Sequence, residues 1–139
     1  MRALLIALAL FFSTSVANAD ETGGAGITID LNTLQPVEGG CQLTFVASTA
    51  HADGIEKLVF ETVLFTTEGA VDRLTLFDFG EIPARAPRVR QFVLPQLECT
   101  NLGQLLFNGV NACQISGAEN TACATGLTLT SRTDVELLG

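Results

Sequence analysis

The chain has 139 residues, and 15 acidic residues against 7 lysines and arginines give it a formal net charge of −8. This balance argues against binding to nucleic acid or to anionic membrane surfaces, because both require clustered positive charge. The length corresponds to one domain.

The first nineteen residues have the organisation of an export signal. Arg2 precedes an apolar run over residues 3–12, and the segment ends in Ala-Asn-Ala at 17–19. Small residues at the first and third positions of that triplet are what signal peptidase requires. The run is too short to span a bilayer, which takes about twenty residues. We predict a signal peptide over residues 1–19, cleaved after Ala19, a periplasmic location and no membrane insertion after cleavage. An uncleaved anchor is the alternative.

The segment after the predicted cleavage site, residues 20–26, reads DETGGAG. It is polar and rich in glycine, and a segment of that composition buries little surface. We therefore expect a flexible leader over residues 20–26 and one folded domain over residues 27–139.

The rest of the chain has the pattern of β-strands. Apolar residues alternate with polar ones, or run in short β-branched and aromatic blocks, between glycine, proline and asparagine. Seven segments are predicted as strands, in chain order GITIDLNTL, CQLTFVAS, EKLVFETVLFTT, VDRLTLFDF, PRVRQFVLP, NLGQLLFNGV and CATGLTLTS. The third is apolar on both faces, as expected of a central or covered strand. The third and fourth are predicted to form a hairpin around Gly69, and we expect TDVELLG to extend the last strand.

Seven short strands with turns at this spacing favour an all-β fold, an immunoglobulin-like antiparallel β-sandwich, with a small barrel as the alternative. In that topology the second strand is antiparallel to the fifth, and the sixth to the seventh. The start of the second strand then lies beside the end of the fifth, which predicts a Cys41–Cys99 disulfide. The same reasoning for the last two strands predicts Cys113–Cys123. A metal site is the alternative for the four cysteines, but their spacing contains no C-x-x-C.

Two stretches of sequence resemble known exported proteins. The stretch VFETVLFTTEGAVDRL resembles the central hairpin of FxLYD-type immunoglobulin-like domains in exported bacterial proteins. The order of LNTLQPVEGGCQLTF, LVFETVLF, LFDFGEIP, LPQLECTNLGQLLFN and LTLTSRT is similar to a family of small exported alphaproteobacterial proteins of unknown function. The second resemblance covers nearly the whole chain after the signal. It implies a periplasmic β-sandwich and carries no catalytic residue.

Catalytic and cofactor signatures are weak in this sequence. A Ser-His-Asp site would have to use His51, the sole histidine, with Ser48 and Asp53 nearby. The segment STAHADG is better interpreted as a polar loop. Asp72, Asp78 and Glu81 are interpreted as solvated strand carboxylates rather than as an acid–base pair. The chain has no tryptophan or tyrosine, the usual platforms for sugar binding. We expect no catalytic site, no metal and no cofactor.

The segment ARAPRVRQF is the candidate partner-binding site, because it contains Arg85, Arg88 and Arg90. Arg88 and Arg90 share one face of the predicted strand, with Phe92 next in that row. Arginine forms bidentate pairs with carboxylates, which would suit an acidic protein partner.

Two alternatives remain open for these arginines. They could form internal ion pairs with Glu56, Glu61 or Asp72, or they could be charges that prevent edge association. The sequence thus favours a non-catalytic, protein-binding or accessory module in the periplasm. A self-associating structural domain is the second hypothesis, and a hydrolase using His51 is the third.

Overall fold

A computed structural model describes residues 24–139; the predicted signal peptide and cleavage site lie outside the described residues. The described chain forms nine β-strands and two short 3₁₀ helices. The strands are β1 (Ile27–Val37), β2 (Gly40–Thr49), β3 (Ile55–Thr66), β4 (Val71–Ile82), β5 (Arg88–Pro95), β6 (Leu102–Ile115), β7 (Ala118–Glu119), β8 (Thr128–Ser131) and β9 (Glu136–Leu138). The 3₁₀ helices are Cys99–Asn101 and Ala122–Ala124.

The strands form two sheets that pack face to face. Sheet A has the order β5-β2-β1-β8, and sheet B has the order β4-β3-β6-β7, with β9 also paired to β6. The predicted all-β sandwich is confirmed. Both sheets are mixed rather than purely antiparallel, because β8 runs parallel to β1 and β9 runs parallel to β6.

The predicted pairing of the sixth strand with the seventh is wrong. The seventh predicted strand corresponds to β8, which pairs with β1 in the other sheet. The connection that leads to it crosses between the sheets, where the backbone N–H of Ala25 donates to the carbonyl of Ala122 at 2.8 Å. That bond places the chain beside the start of β1, so the next strand extends sheet A.

Phenylalanine side chains from both sheets fill the centre of the sandwich. Phe45 of β2 is fully buried and contacts Phe77 and Phe79 of β4, with ring centroids 5.7 and 5.5 Å apart. Burying a phenylalanine side chain stabilises a fold by about 1.5–3 kcal/mol. At the side of the sandwich formed by β4 and β5, Phe77 stacks on Phe92 with centroids 4.5 Å apart.

Both predicted disulfide pairings are confirmed. Cys41 bonds to Cys99, with Cα atoms 5.1 Å apart, and Cys113 bonds to Cys123, with Cα atoms 6.0 Å apart. The first joins the start of β2 to the 3₁₀ helix that follows β5, as the antiparallel β2–β5 pairing requires. The second joins β6 to the 3₁₀ helix before β8. None of the cysteines in the described residues is free.

The end of the expected flexible leader is packed against the domain. Ala25 is 1% exposed, and its carbonyl accepts a hydrogen bond from the Thr49 hydroxyl at 2.6 Å. The packed part of the chain therefore starts at least two residues before β1. The hydrogen bond between Ala25 and Ala122 holds this segment against the connection that crosses between the sheets. Across residues 24–139, no helix reaches the length and apolarity needed to cross a membrane.

Candidate functional site

Of the three arginines in the candidate partner-binding patch, Arg90 is engaged inside the fold. It lies opposite the buried Phe45 in the β2–β5 register, so its side chain leaves the strand toward the other sheet. Its Nε donates to the carbonyl of Phe79 at 2.6 Å and its terminal nitrogen donates to the carbonyl of Glu81 at 3.0 Å. Arg90 therefore joins the edge strands β5 and β4.

Arg85 and Arg88 remain at the surface. Arg85 is exposed in the β4–β5 turn, with a left-handed φ of 61°, and the half-buried Arg88 donates to the carbonyl of Pro87 at 3.3 Å. Arg90 therefore differs from Arg85 and Arg88 in its contacts, because it alone binds the backbone of the other sheet.

The carboxylates considered as internal partners bind other groups. Glu61 accepts from the Asn108 amide at 2.6 Å, and Asp72 pairs with Arg73 at 2.6 Å. Glu56 accepts from the backbone N–H of Gly117 at 3.0 Å. The internal ion pairs considered for the patch are therefore not formed. Arg90 instead covers two carbonyls of the edge strand β4, and covering an edge is a known protection against association through that edge.

A second arginine closes the same side of the sandwich, and the sequence interpretation did not single it out. Arg73 of β4 lies opposite the buried Leu64 of β3, and its guanidinium donates to the carbonyl of Pro95, the last residue of β5, at 2.7 Å. Arg73 and Arg90 thus each donate from one edge strand to the backbone of the other, on either side of the Phe77–Phe92 stack. The sequence did contain an indication of this role, because strand alternation places Arg73 on the same face of β4 as Phe77.

The His51 loop has a different geometry from a catalytic triad. His51 Nδ1 accepts a hydrogen bond from the backbone N–H of Asp53 at 3.3 Å, and the Asp53 carboxylate accepts from the Ser116 hydroxyl at 3.2 Å. In a triad the same imidazole nitrogen would donate to the carboxylate. Ser48 lies within β2, paired with Thr28.

The other carboxylates named from sequence serve local contacts. Asp78 accepts from the backbone N–H of Gly80 at 2.8 Å, and Asp72 is paired with Arg73. Glu81 is exposed at the end of β4. Within residues 24–139, no three His, Cys, Asp or Glu side chains converge in a way that could hold a metal ion.

The outer face of sheet B, the face turned away from sheet A, has an apolar row that crosses four strands. Val63 pairs with Leu74 on one side and with Leu106 on the other, and Leu106 pairs with Leu138 of β9. Directly paired residues share one face of a sheet. This face is the outer one, because the neighbouring row that contains Leu64 lies in the core.

Two further rows border this apolar row. One contains Val71, Phe65 and Gln104, and the other contains Leu76, Glu61 and Gly109. We call this surface the apolar face; it comprises Phe65, Val63, Val71, Leu74, Leu76, Leu106 and Leu138. Val71, Leu74 and Leu76 are 63%, 56% and 51% exposed, whereas Val63 is 9% exposed and Phe65, Leu106 and Leu138 are half-buried. Contiguous exposed apolar surface on a monomer often marks an interaction site.

Acidic residues lie within and around the apolar face. Glu61 of β3 lies between Leu76 and Gly109, Asp78 follows Leu76 on β4, and Glu136 lies on β9 opposite Gln104. Beyond the last of these, an open cleft of about 1150 Å³ contains Glu68, Asp134 and Glu136 in its lining.

The cleft has one arginine, Arg132, whose Nε is bonded to Asp30 at 2.9 Å. On the sheet face itself, Lys57 lies near the opposite end of β3, paired with Gln114. The region around the apolar row is therefore negatively charged.

Comparison with known proteins adds no functional assignment: no family model matches the chain, and neither curated proteins nor solved structures give a match.

Proposed function

We propose that this chain is a non-enzymatic, protein-binding module of the periplasm, and that the apolar face of sheet B is its binding surface. The observation that carries the proposal is the row Leu74–Val63–Leu106–Leu138, in which four strands present apolar side chains outward on one face. Leaving the exposed members of this face, Val71, Leu74 and Leu76, in water forgoes about 25 cal/mol per Å² of apolar area, which docking of a partner would recover.

The acidic border indicates the chemistry of the partner. Glu61, Asp78 and Glu136 lie beside the apolar row, and the adjoining cleft adds Glu68 and Asp134. Charge complementarity favours a partner that places apolar side chains on the row and lysines or arginines around it. This differs from the acidic partner expected for the arginine patch, because Arg90 is committed to the β4 backbone.

The same charges disfavour pairing of this face with its own copy. A two-fold interface brings the same surface of both copies together, so carboxylates would face carboxylates. Glu61 lies between Leu76 and Gly109, within the face rather than at its edge, so it would be buried among other acids. A partner of opposite charge avoids that cost.

The test uses a photoreactive residue in place of Leu76, with the same residue in place of Thr28 as the control. Thr28 is exposed on the outer face of sheet A. We expect crosslinking in the periplasm to one protein from position 76 and not from position 28. Equal crosslinking from both positions, or none from position 76, would contradict the proposal.

Binding to the captured protein, once purified, is then measured by calorimetry. We expect Leu74→Arg with Leu76→Arg to weaken it by at least about tenfold, which corresponds to about 1.4 kcal/mol. The matched variant Thr28→Arg with Thr128→Arg adds the same charge to sheet A and should leave the affinity unchanged. Affinity should also fall with salt, because the expected complementarity is electrostatic.

Export and fold family are further parts of this proposal. Two disulfides are typical of exported proteins, and the N-terminal sequence has the organisation of a cleaved signal. We propose periplasmic location with cleavage after Ala19, and kinship with immunoglobulin-like domains. N-terminal sequencing of protein from a periplasmic fraction should begin at Asp20; retention of residues 1–19 would contradict the cleavage.

A further inference from the structure

β5 is a regular edge strand of sheet A. Its pairing with β2 runs from Gly40↔Pro95 to Ala47↔Arg88 without a register shift, and among the described strands none pairs with its other side. The edge strand β4 of sheet B is different, because its ladder with β3 has three register shifts. The edge strands β7 and β8 have two and four residues. The Val89 and Pro95 carbonyls of β5 accept hydrogen bonds from arginines, and the other outward backbone groups of this regular edge are available for pairing.

Hydrogen bonds identify which backbone groups of β5 face outward. The carbonyl of Val89 accepts from Arg90 at 3.2 Å and the carbonyl of Pro95 accepts from Arg73 at 2.7 Å. Because backbone direction alternates along a strand, the odd-numbered residues from 89 to 95 direct these groups away from β2. Gln91 and Val93 lie between the two arginine contacts and complete this outward-facing set.

We propose that two copies of this chain pair antiparallel through β5, with the two-fold axis at Gln91. In that register, Val89 of one copy lies opposite Val93 of the second copy, and the outward backbone groups of both strands meet. The two valines share the outer face of sheet A and are 58% and 53% exposed in the single chain. Cross-strand pairs of β-branched residues stabilise antiparallel sheets, and pairing would join the two A sheets into one.

The side chains of β5 are compatible with antiparallel pairing to an identical strand. We therefore propose a second copy of this chain as the partner of this edge. The register places Arg88 opposite Leu94 and Arg90 opposite Phe92, so neither arginine directly faces an arginine of the second copy. Arg90 is also turned toward its own β4. β5 contains no carboxylate, so the pairing brings none together.

This dimer goes beyond the proposed function and leaves the apolar face of sheet B free. A single pair of strands buries less than the roughly 1,200 Å² of a standard interface, so we expect a dissociation constant between about 1 µM and 1 mM. Each dimer would present two apolar faces, which increases apparent affinity for a multivalent partner.

Analytical ultracentrifugation from low micromolar to millimolar concentration tests the pairing. We expect reversible dimerisation that Val89→Lys with Val93→Lys weakens at least about tenfold, because lysines would then face each other across the seam. Gln91→Pro removes an outward N–H at the axis and should have a similar effect. Leu74→Glu with Leu76→Glu is the control and should leave dimerisation unchanged.

A spin label at Gln91→Cys gives an independent readout, with a short distance between labels expected in the dimer. The same label at Asn108→Cys, on sheet B, should give a much longer distance. A monomer up to millimolar concentration overturns the proposal, and so does a dimer that the lysine pair leaves intact. Circular dichroism verifies folding, and if Gln91→Pro does not fold, the lysine pair and the spin label decide.

Discussion

The guanidinium of Arg90 lies 2.6 Å from the carbonyl oxygen of Phe79 and thereby joins the edge strands of the two sheets. A hydrogen bond from a charged donor is stronger than a neutral one, and it satisfies a carbonyl that an edge strand otherwise offers to another chain. Arg90, one residue of the predicted partner-binding patch, thus closes one side of the sandwich.

Removal of this side chain should destabilise the fold. Because hydrogen bonds to charged groups contribute about 1.5–3 kcal/mol, we expect Arg90→Ala to lower the free energy of unfolding by that amount. Arg88→Ala is the matched control on the same strand and should stay within about 0.5 kcal/mol. Urea unfolding measures both, and equal effects would contradict the different roles assigned to the two arginines.

The two disulfides should contribute unequally to stability. They span sequence separations of 58 and 10 residues. In the chain-entropy model this corresponds to about 4 kcal/mol for Cys41–Cys99 and about 3 kcal/mol for Cys113–Cys123. We therefore expect the serine double variant of the first pair to melt at the lower temperature. Calorimetry of both variants measures the order, and the reverse order would refute the entropic account for this protein.

Sequence alternation predicted the local architecture well. Period-two patterns and the turn at Gly69 indicated the β3–β4 hairpin, and the antiparallel pairing of β2 with β5 followed from the assumed sandwich topology. The Cys41–Cys99 disulfide followed from the β2–β5 pairing, whereas Cys113–Cys123 was predicted correctly from a strand pairing that the structure does not have. The parallel pair β1–β8 joins strands near opposite ends of the described chain, and the parallel pair β6–β9 joins strands that β7 and β8 separate in sequence; no local pattern encodes either pairing.

The orientation of the candidate site was predicted less well, because the charged arginines of β5 were expected to lie on a solvent-facing side of the strand. Arg88, Arg90 and Phe92 share one face, as predicted. The register places them opposite the core positions Ala47, Phe45 and Leu43, so that face is the inner one. Phe92, and not the arginines, indicated that this face of β5 points toward the core. The third predicted strand was apolar on both sides, and Val63 was the sequence signal for the apolar face.

Paired substitutions distinguish the apolar face from the core. Leu64 of β3 is fully buried, whereas Leu74 of β4 is largely exposed. We expect Leu64→Ala to cost about 2–5 kcal/mol, because it leaves a cavity, and Leu74→Ala to stay within about 0.5 kcal/mol. Chemical unfolding at neutral pH measures both. A large cost at Leu74 would mean that this face is covered in the folded chain.

Asp30 connects the last strand of sheet A to β1. Its carboxylate accepts hydrogen bonds from Thr130 at 2.7 Å, Arg132 at 2.9 Å and Asn32 at 3.4 Å. Desolvation by burial acts to raise the pKa of Asp30, but the hydrogen bonds, with that from Thr130 first, outweigh it. The pKa of Asp30 therefore lies below its ordinary value of 3.8.

A carboxylate with a lowered pKa in the folded state stabilises the fold when it is ionised. The contribution of Asp30 is complete above its unfolded pKa of about 4 and is lost as the pH falls through the lower, folded value. Asp30→Asn should therefore be less stable than the natural chain at pH 7, and the difference should shrink below about pH 4. Urea unfolding of both proteins across this range measures the difference. A gap that stays constant to pH 2 would indicate that packing, and not the charge of Asp30, holds β8 against β1.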